Sequence, residues 1–158
     1  RDMPVPAIGA PFPLDQRLMH TSLLEQAAKQ PDAIYIVDGS GSGSGNKDQP
    51  SQSRGFSYSE VELMSRAVAS KLVDGLRRRN NGAPYAARVV AVVMHKSWRQ
   101  VVAVQGVLRA HGTYLPLDAK MPRQRLEQVI EISGAVAVVS EAARAAVAWW
   151  VAARVAAA

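Results

Sequence analysis

From residue 88 onward, short apolar runs alternate with segments whose apolar residues recur at helical spacing. Residues 88–94 are almost wholly apolar and β-branched, which predicts a central strand covered on both faces. Residues 114–117 and 135–139 predict two further strands, with helices between the three. Because alternating strands and helices build parallel sheets, the pattern predicts an α/β fold, a mostly parallel sheet with flanking helices.

Four helices are predicted from their starts and their apolar faces. Capping-box spacing marks three starts, at Ser22 with Glu25, Ser57 with Glu60 and Ser97 with Gln100, and Pro122 suits the first turn of the fourth. The four apolar faces are Leu23, Leu24, Ala27 and Ala28; Val61, Met64, Val68, Leu72 and Leu76; Val101, Val104, Val107 and Leu108; and Leu126, Val129 and Ile130.

Glycine and proline set the predicted boundaries. Pro31 limits the first helix, Gly112 predicts the left-handed stop of the third helix, and Gly134 ends the fourth. Gly82 and Pro84 mark the loop after the second helix.

The remaining segments divide the chain. Residues 33–37 predict a short strand and residues 56–58 an extended piece. The Gly-Ser run at 39–45, polar up to 54, predicts a flexible loop; it lacks the Gly-Lys-Ser/Thr ending of a phosphate-binding loop. We expect residues 1–19, rich in proline, to be an interdomain linker, residues 20–140 to form the domain, and residues 141–158 to be an alanine-rich tail.

Composition narrows the function classes. The 158 residues include no cysteine, which excludes disulfides, thiolate metal sites and a cysteine nucleophile, and fits a cytoplasmic protein. The net charge of +6 raises the possibility of a nucleic-acid partner, with Arg77-Arg78-Arg79 as the densest basic run. A solvated helix end is the favoured interpretation of that run, since aromatic residues make up only 6%. Nucleic acid is therefore not expected as a partner. No signal peptide or membrane-spanning stretch is apparent, so a membrane is not expected as a partner either.

Few residues suggest chemistry by themselves. His95 is a candidate general base at a strand end, although a surface histidine before a helix is the favoured interpretation. The spacing of His20, His95 and His111 fits no metal site. The Trp149-Trp150 pair suits an interfacial helix or, more simply, burial.

Two stretches resemble the first two core motifs of nonribosomal-peptide-synthetase adenylation domains. Residues 56–63, Phe-Ser-Tyr-Ser-Glu-Val-Glu-Leu, resemble Leu-Thr/Ser-Tyr-x-Glu-Leu. Residues 108–118 resemble Leu-Lys-Ala-Gly-x-Ala-Tyr-Val/Leu-Pro-Leu-Asp, with Arg109, His111 and Thr113 in place of lysine, the first glycine and alanine. Flanking similarity extends the resemblance over roughly residues 20–140.

The resemblance implies the N-terminal subdomain of the adenylate-forming fold, in incomplete form. The complete domain is expected to use ATP and Mg²⁺ to convert an amino, hydroxy or aryl acid into an acyl adenylate, which is then loaded onto a carrier protein's phosphopantetheine. Implied partners are an upstream condensation or cyclisation domain, the rest of the adenylation domain and a peptidyl carrier protein. An alternative is a naturally truncated, non-catalytic module that docks beside a condensation domain.

No catalytic, cofactor-binding or metal-binding residue is carried over, because the family's phosphate loop and its other catalytic groups belong after the matched segment. We expect structural roles instead: Glu60 caps a helix, Tyr58 packs at its start, Gly112 lets the backbone turn, and Pro116 and Asp118 shape a strand exit. The structural motif residues are Phe56, Ser57, Tyr58, Glu60, Leu63, Leu108, Ala110, Gly112, Tyr114, Pro116, Leu117 and Asp118.

Overall fold

The computed structural model describes residues 18–39, 53–79 and 88–141. Within them lie four helices and five strands, close to the predicted positions. In chain order they are α1 (Thr21–Lys29), β1 (Ile34–Asp38), β2 (Arg54–Ser57), α2 (Tyr58–Arg79), β3 (Val89–Met94), α3 (Trp98–Arg109), β4 (Thr113–Asp118), α4 (Arg123–Ile132) and β5 (Ala137–Ser140).

The three strands after residue 88 form one parallel sheet in the order β4-β3-β5. The strand β3 lies in the middle, with Met94 opposite Asp118 of β4 and Val93 opposite Ser140 of β5. Val90, Ala91 and Val92 are completely buried. The predicted central strand and parallel sheet are therefore confirmed.

Helices cover both faces of this sheet. Val90 and Val92 point to a core that α2 and α3 complete, with Leu72 and Val107 fully buried in it. Ala91 faces the opposite core, which Ile130 and its neighbours on α4 complete. Because successive side chains of a strand point to opposite faces, a continuous apolar run is what a strand between two helical layers requires.

The helices α2 and α3 approach each other closely at Gly106. A Cβ atom at Gly106 would lie 2.6 Å from the Cβ of Val68, so the contact requires glycine on α3. The predicted buried face of α3 is consequently wrong at three of its four positions. The structure buries Val102, Ala103, Gly106 and Val107, whereas Val101, Val104 and Leu108 are only partly buried. The small residues determine which side of α3 meets α2, and the larger apolar residues flank it.

The first two strands form a separate antiparallel pair, β1 with β2. Their inner side chains, with Leu23 of α1, Val61 of α2 and Val102 of α3, surround the buried Phe56. The Phe56 ring lies on Trp98, with 4.4 Å between ring centroids. This third core attaches α1 and the hairpin to the helical layer formed by α2 and α3.

One of the three predicted capping boxes is confirmed. Ser57 N–H donates to Glu60 Oε2 at 2.8 Å, and Glu60 N–H donates to Ser57 Oγ at 3.2 Å. The box at Ser22 is wrong, because α1 begins at Thr21 and His20 is its N-cap, without a side-chain capping bond. Ser97 is the N-cap of α3, but its hydroxyl does not cap that helix and bonds elsewhere.

The helices α3 and α4 end in the same way, with a residue in the left-handed conformation. Gly134 has φ 64° after α4, as predicted. After α3, the prediction for Gly112 is wrong, since His111 has φ 56°. Both ends are Schellman motifs. His111 N–H donates to Leu108 O at 2.9 Å and Gly112 N–H to Val107 O at 2.9 Å; Gly134 N–H and Ala135 N–H make the equivalent bonds after α4.

Other predictions fall outside the described residues. These concern linker residues 1–17, the loop residues 40–52, Gly82, Pro84, and the tail beyond 141 with Trp149 and Trp150. In the part of the chain that the structure describes, no helix combines the length and apolarity needed to cross a bilayer.

Candidate functional site

The carboxyl ends of the three parallel strands meet at one edge of the sheet. His95 follows β3, Asp118 ends β4, and Ser140 with Glu141 ends β5. Open α/β sheets bind their ligands outside this edge. We therefore take the carboxyl edge, defined as residues 95–97, 118–120 and 140–141, as the candidate site.

Asp118 fixes the exit from β4. Its Oδ1 accepts the Lys120 N–H at 2.9 Å, and its main-chain oxygen accepts the Met121 N–H at 3.0 Å. The prediction that Asp118 shapes this exit is thereby confirmed. Oδ1 also lies 3.9 Å from His95 Nδ1, with 63% of the Asp118 side chain and 52% of the His95 side chain exposed. A polar contact this exposed contributes at most about 1 kcal/mol, even where it is an ion pair.

A second side-chain contact joins β3 to β5 at the same edge. Ser97 Oγ donates to Glu141 Oε1 at 3.1 Å, across 44 residues of sequence. The exit of β3 thus contacts the exits of both neighbouring strands, through His95 on one side and Ser97 on the other. Both contacts are polar and open to solvent.

The described residues of the carboxyl edge do not by themselves form a catalytic centre. His95 is an exposed residue in the loop before α3, so its interpretation as a surface histidine is confirmed. Among residues 18–39, 53–79 and 88–141, no three His, Cys, Asp or Glu side chains come together to hold a metal ion. We assign the described residues no step that involves a metal.

The first motif holds the beginning of α2. Phe56 is 1% exposed, and Ser57 and Glu60 form the capping box described above. Tyr58 stacks on Tyr35 with 4.8 Å between ring centroids, so its predicted packing at the helix start is confirmed. Leu63 differs from the rest of the motif: it is 61% exposed, because it lies on the face of α2 opposite the buried Val61 and Ser65.

The second motif runs from the end of α3 through β4. Ala110 is buried at the helix end, Tyr114 packs beside the α2–α3 core, and Leu117 is buried in the core under α4. Pro116 is exposed and pairs in register with Val92 of β3. Leu108 is partly buried, and Gly112 completes the Schellman motif with its N–H. Packing and backbone geometry account for these positions.

A second polar cluster, which sequence reasoning missed, lies where α1, α2 and α3 meet. Arg109 Nη2 is 2.8 Å from Glu62 Oε1, and Gln105 Nε2 donates to Tyr35 Oη at 3.4 Å. The rings of His20 and His111 lie beside each other, with centroids 6.1 Å apart. Burial, followed by the charges of His111 and Arg109, lowers the pKa of His20 below 6.5. No local sequence pattern predicts the contact between His20 and His111, which are 91 positions apart.

Comparison with known proteins gives one consistent result. Residues 23–156 match the family described as AMP-binding enzyme. The chain is 34% identical over 123 residues to the phenyloxazoline synthase MbtB of Mycolicibacterium paratuberculosis, covering 78% of this chain and 9% of that protein. It is 28% identical to bacitracin synthase 3 of Bacillus licheniformis, covering 78% of this chain and 2% of that protein.

Comparison with solved structures indicates the same kind of domain as these relatives do. A crystal structure of the nonribosomal peptide synthetase FmoA3 with bound α-methyl-L-serine-AMP superposes with a TM-score of 0.64 at 30% identity, covering 82% of this chain and 12% of that one. The N-terminal subdomain of Klebsiella oxytoca NpsA has a TM-score of 0.56 at 16% identity, covering 78% of this chain and 27% of that one, which shows the shared fold. The chain thus spans a small part of the proteins it matches. It belongs to the AMP-binding enzyme family and corresponds to the N-terminal part of a nonribosomal-peptide-synthetase adenylation domain.

Proposed function

We propose that this chain supplies the scaffold of an adenylation domain. In its complete form, the domain activates an amino, hydroxy or aryl acid with ATP and Mg²⁺, giving an acyl adenylate and pyrophosphate. It then loads the acyl group onto the phosphopantetheine of a carrier protein. The family match over residues 23–156 carries this proposal, and FmoA3, 30% identical here, is a synthetase whose structure contains an aminoacyl-AMP.

The proposed role of this segment is to hold the nucleotide-binding side of the domain in place. Two observations support it. Both family motifs are used for caps, turns and core packing, and the carboxyl edge presents a polar, side-chain-linked surface where α/β sheets bind ligands. We assign ATP, Mg²⁺ and substrate contacts to the rest of the domain, and expect the 158-residue chain alone to be inactive.

The proposed partners follow from the same resemblance. They are the remainder of the adenylation domain, an upstream condensation or cyclisation domain, and a peptidyl carrier protein, all in the cytoplasm. Both β4 and β5 are edge strands of the described sheet, and we propose that further strands of the domain continue from the β5 side, because Pro116 interrupts the row of N–H donors on β4.

Amino-acid-dependent exchange of pyrophosphate into ATP tests the activity. The full-length parent protein is assayed against a panel of amino, hydroxy and aryl acids, and the 158-residue chain is assayed beside it. We expect exchange with one or a few acids by the parent and background exchange by the chain. A folded parent that exchanges with none of the acids would refute the activity and favour a non-catalytic docking module.

Matched variants at Glu60 test the scaffold role in the same parent. Glu60→Ala removes the acceptor for the Ser57 N–H, whereas Glu60→Gln keeps one. We expect both variants to exchange pyrophosphate at the wild-type rate at low temperature, and the alanine variant to lose activity at a lower temperature. Loss of exchange in a fully folded alanine variant would contradict a purely structural role.

A further inference from the structure

The start of α1 meets the end of α3 through two histidines. His20 is the N-cap of α1, and His111 follows α3 in the left-handed conformation. Their rings meet edge to face, with an interplanar angle of 80° and 6.1 Å between centroids. Neutral aromatic rings attract each other in this arrangement, whereas two protonated imidazoles at the same distance repel.

Positive charge surrounds the pair on the α3 side. Arg109 lies two residues before His111, and its Nη1 is buried with no hydrogen-bond partner among the described residues. On α2, Glu62 contacts Arg109 at 2.8 Å and Arg66 at 3.0 Å, so its single negative charge is shared between two guanidinium groups. Little negative charge remains to balance a protonated histidine.

The α1 side offers no compensation near its beginning. The first turn of α1 contains no acidic residue, and the amino end of a helix carries partial positive charge. Glu25, which has partners of its own, lies one turn further along. Protonating His20 therefore places a cation beside a helix amino terminus, a second histidine and Arg109.

The direction of the His20 pKa agrees with this geometry. Burial, then His111 and Arg109, holds it below the ordinary 6.5. For a histidine with a lowered pKa in the folded state, the stabilisation is complete above pH 6.5. It is lost as the pH falls through the lowered value.

We propose that His20 forms a proton-sensitive latch with His111, which holds the start of α1 on the end of α3 while His20 is neutral and releases it when His20 takes up a proton. Leu23, 4% exposed, is the buried residue of α1, and it packs with Phe56, Val61 and Val102 rather than in the two cores of the parallel sheet, so α1 can open while that sheet stays intact. The latch would act independently of the proposed adenylation.

Hydrogen exchange of the whole 158-residue chain at about pH 7.5 and pH 5.5 tests the latch. After correction for intrinsic exchange, we expect the protection of α1 amides to fall at least about threefold more than that of β3 amides. This is the low limit for repulsion between unit charges about 6 Å apart in water. The double variant His20→Gln, His111→Asn should remove the difference, since asparagine tolerates the left-handed conformation. His95→Gln, at an exposed histidine, should keep it.

Two results would overturn the latch. One is an equal pH dependence of α1 protection in the wild type and the double variant. The other is a His20 imidazole that titrates at or above 6.5 by NMR on the wild-type chain, a measurement that does not depend on the variants folding.

Discussion

The two Schellman motifs provide a paired test of backbone strain, because α3 and α4 end in the same geometry with different residues. After α4 the left-handed position is Gly134, and after α3 it is His111. We predict that Gly134→Ala destabilises the chain, and that His111→Gly gives a more stable chain than His111→Ala. The comparison of glycine with alanine at position 111 removes the imidazole in both variants and leaves the backbone as the difference.

The magnitude follows from the space around each position. A Cβ atom at Gly134 would meet no atom of the described residues within 4 Å, so Gly134→Ala introduces no steric clash with them. The remaining cost is that of placing an L-residue at φ 64°, about 1–2 kcal/mol. Alanine also restricts the unfolded chain more than glycine does, which offsets that cost by about 0.4–1 kcal/mol. We expect a net difference of about 1 kcal/mol at each position.

Urea unfolding followed by circular dichroism measures this difference. With a slope of about 2 kcal/mol per molar urea, the midpoint should fall by about 0.5 M for Gly134→Ala, and should be higher by the same amount for His111→Gly than for His111→Ala. Gly39→Ala is the control, since Gly39 also has open space but no positive φ. Equal midpoints for the two position-111 variants, or an unchanged midpoint for Gly134→Ala, would refute the strain argument.

Three further changes probe the cores and the confirmed cap by the same unfolding measurement. Gly106→Ala places a Cβ 2.6 Å from Val68 and should destabilise by about 1–3 kcal/mol as α2 and α3 separate. Val92→Ala, at a completely buried position in β3, should cost about 2–3 kcal/mol through the cavity it leaves. Glu60→Ala should cost about 1 kcal/mol through the lost hydrogen bond at the start of α2.

Each of these changes has a matched control in the chain. Gly55→Ala brings its Cβ within 3.0 Å of Ile34 Cδ1, the end of an exposed flexible side chain, and should have a small effect. Val37 is 64% exposed, so Val37→Ala should stay within about 0.5 kcal/mol of wild type. Glu60→Gln should retain the cap. A control that loses as much stability as its partner variant would contradict the assigned contact.

The pattern of apolar residues was sufficient to predict the parallel sheet and the succession of strands and helices along the chain. Residues 88–94 predict a buried central strand because they are apolar at almost every position. They are apolar since every side chain of β3 packs in a core between the sheet and a helical layer. The buried face of α3 was not predictable in this way. It depends on Ala103 and Gly106, which hydropathy ranks below valine and leucine, and on the close approach of another helix.

Capping and turn signals were less reliable, for physical reasons that differ. The Ser22–Glu25 spacing competes with a helix start two residues earlier, since the N-cap is His20 rather than Ser22. Ser97 forms its bond with a glutamate 44 residues away, which no local pattern contains. At the end of α3, the family motif indicates the position of the left-handed residue better than Gly112 does. The family's first glycine corresponds to His111, and the left-handed residue lies there rather than at Gly112, which occupies the variable position of the motif.

The candidate site could be predicted only in outline. Its location follows from parallel strands, whose carboxyl ends share an edge, and Asp118 was expected at a strand exit. The contacts of His95 with Asp118 and of Ser97 with Glu141 depend on the strand order β4-β3-β5, which the sequence alone left undetermined.

Pro116 has a consequence for how the sheet can associate. The strand β4 is an edge strand of the described sheet, and at Pro116 it has no N–H to offer an additional strand. An unrelated chain that approached this edge would find a gap in the ladder of donors, so β4 is protected against intermolecular pairing and aggregation. The strand β5, the opposite edge of the described sheet, contains no proline, so its row of N–H groups has no such gap.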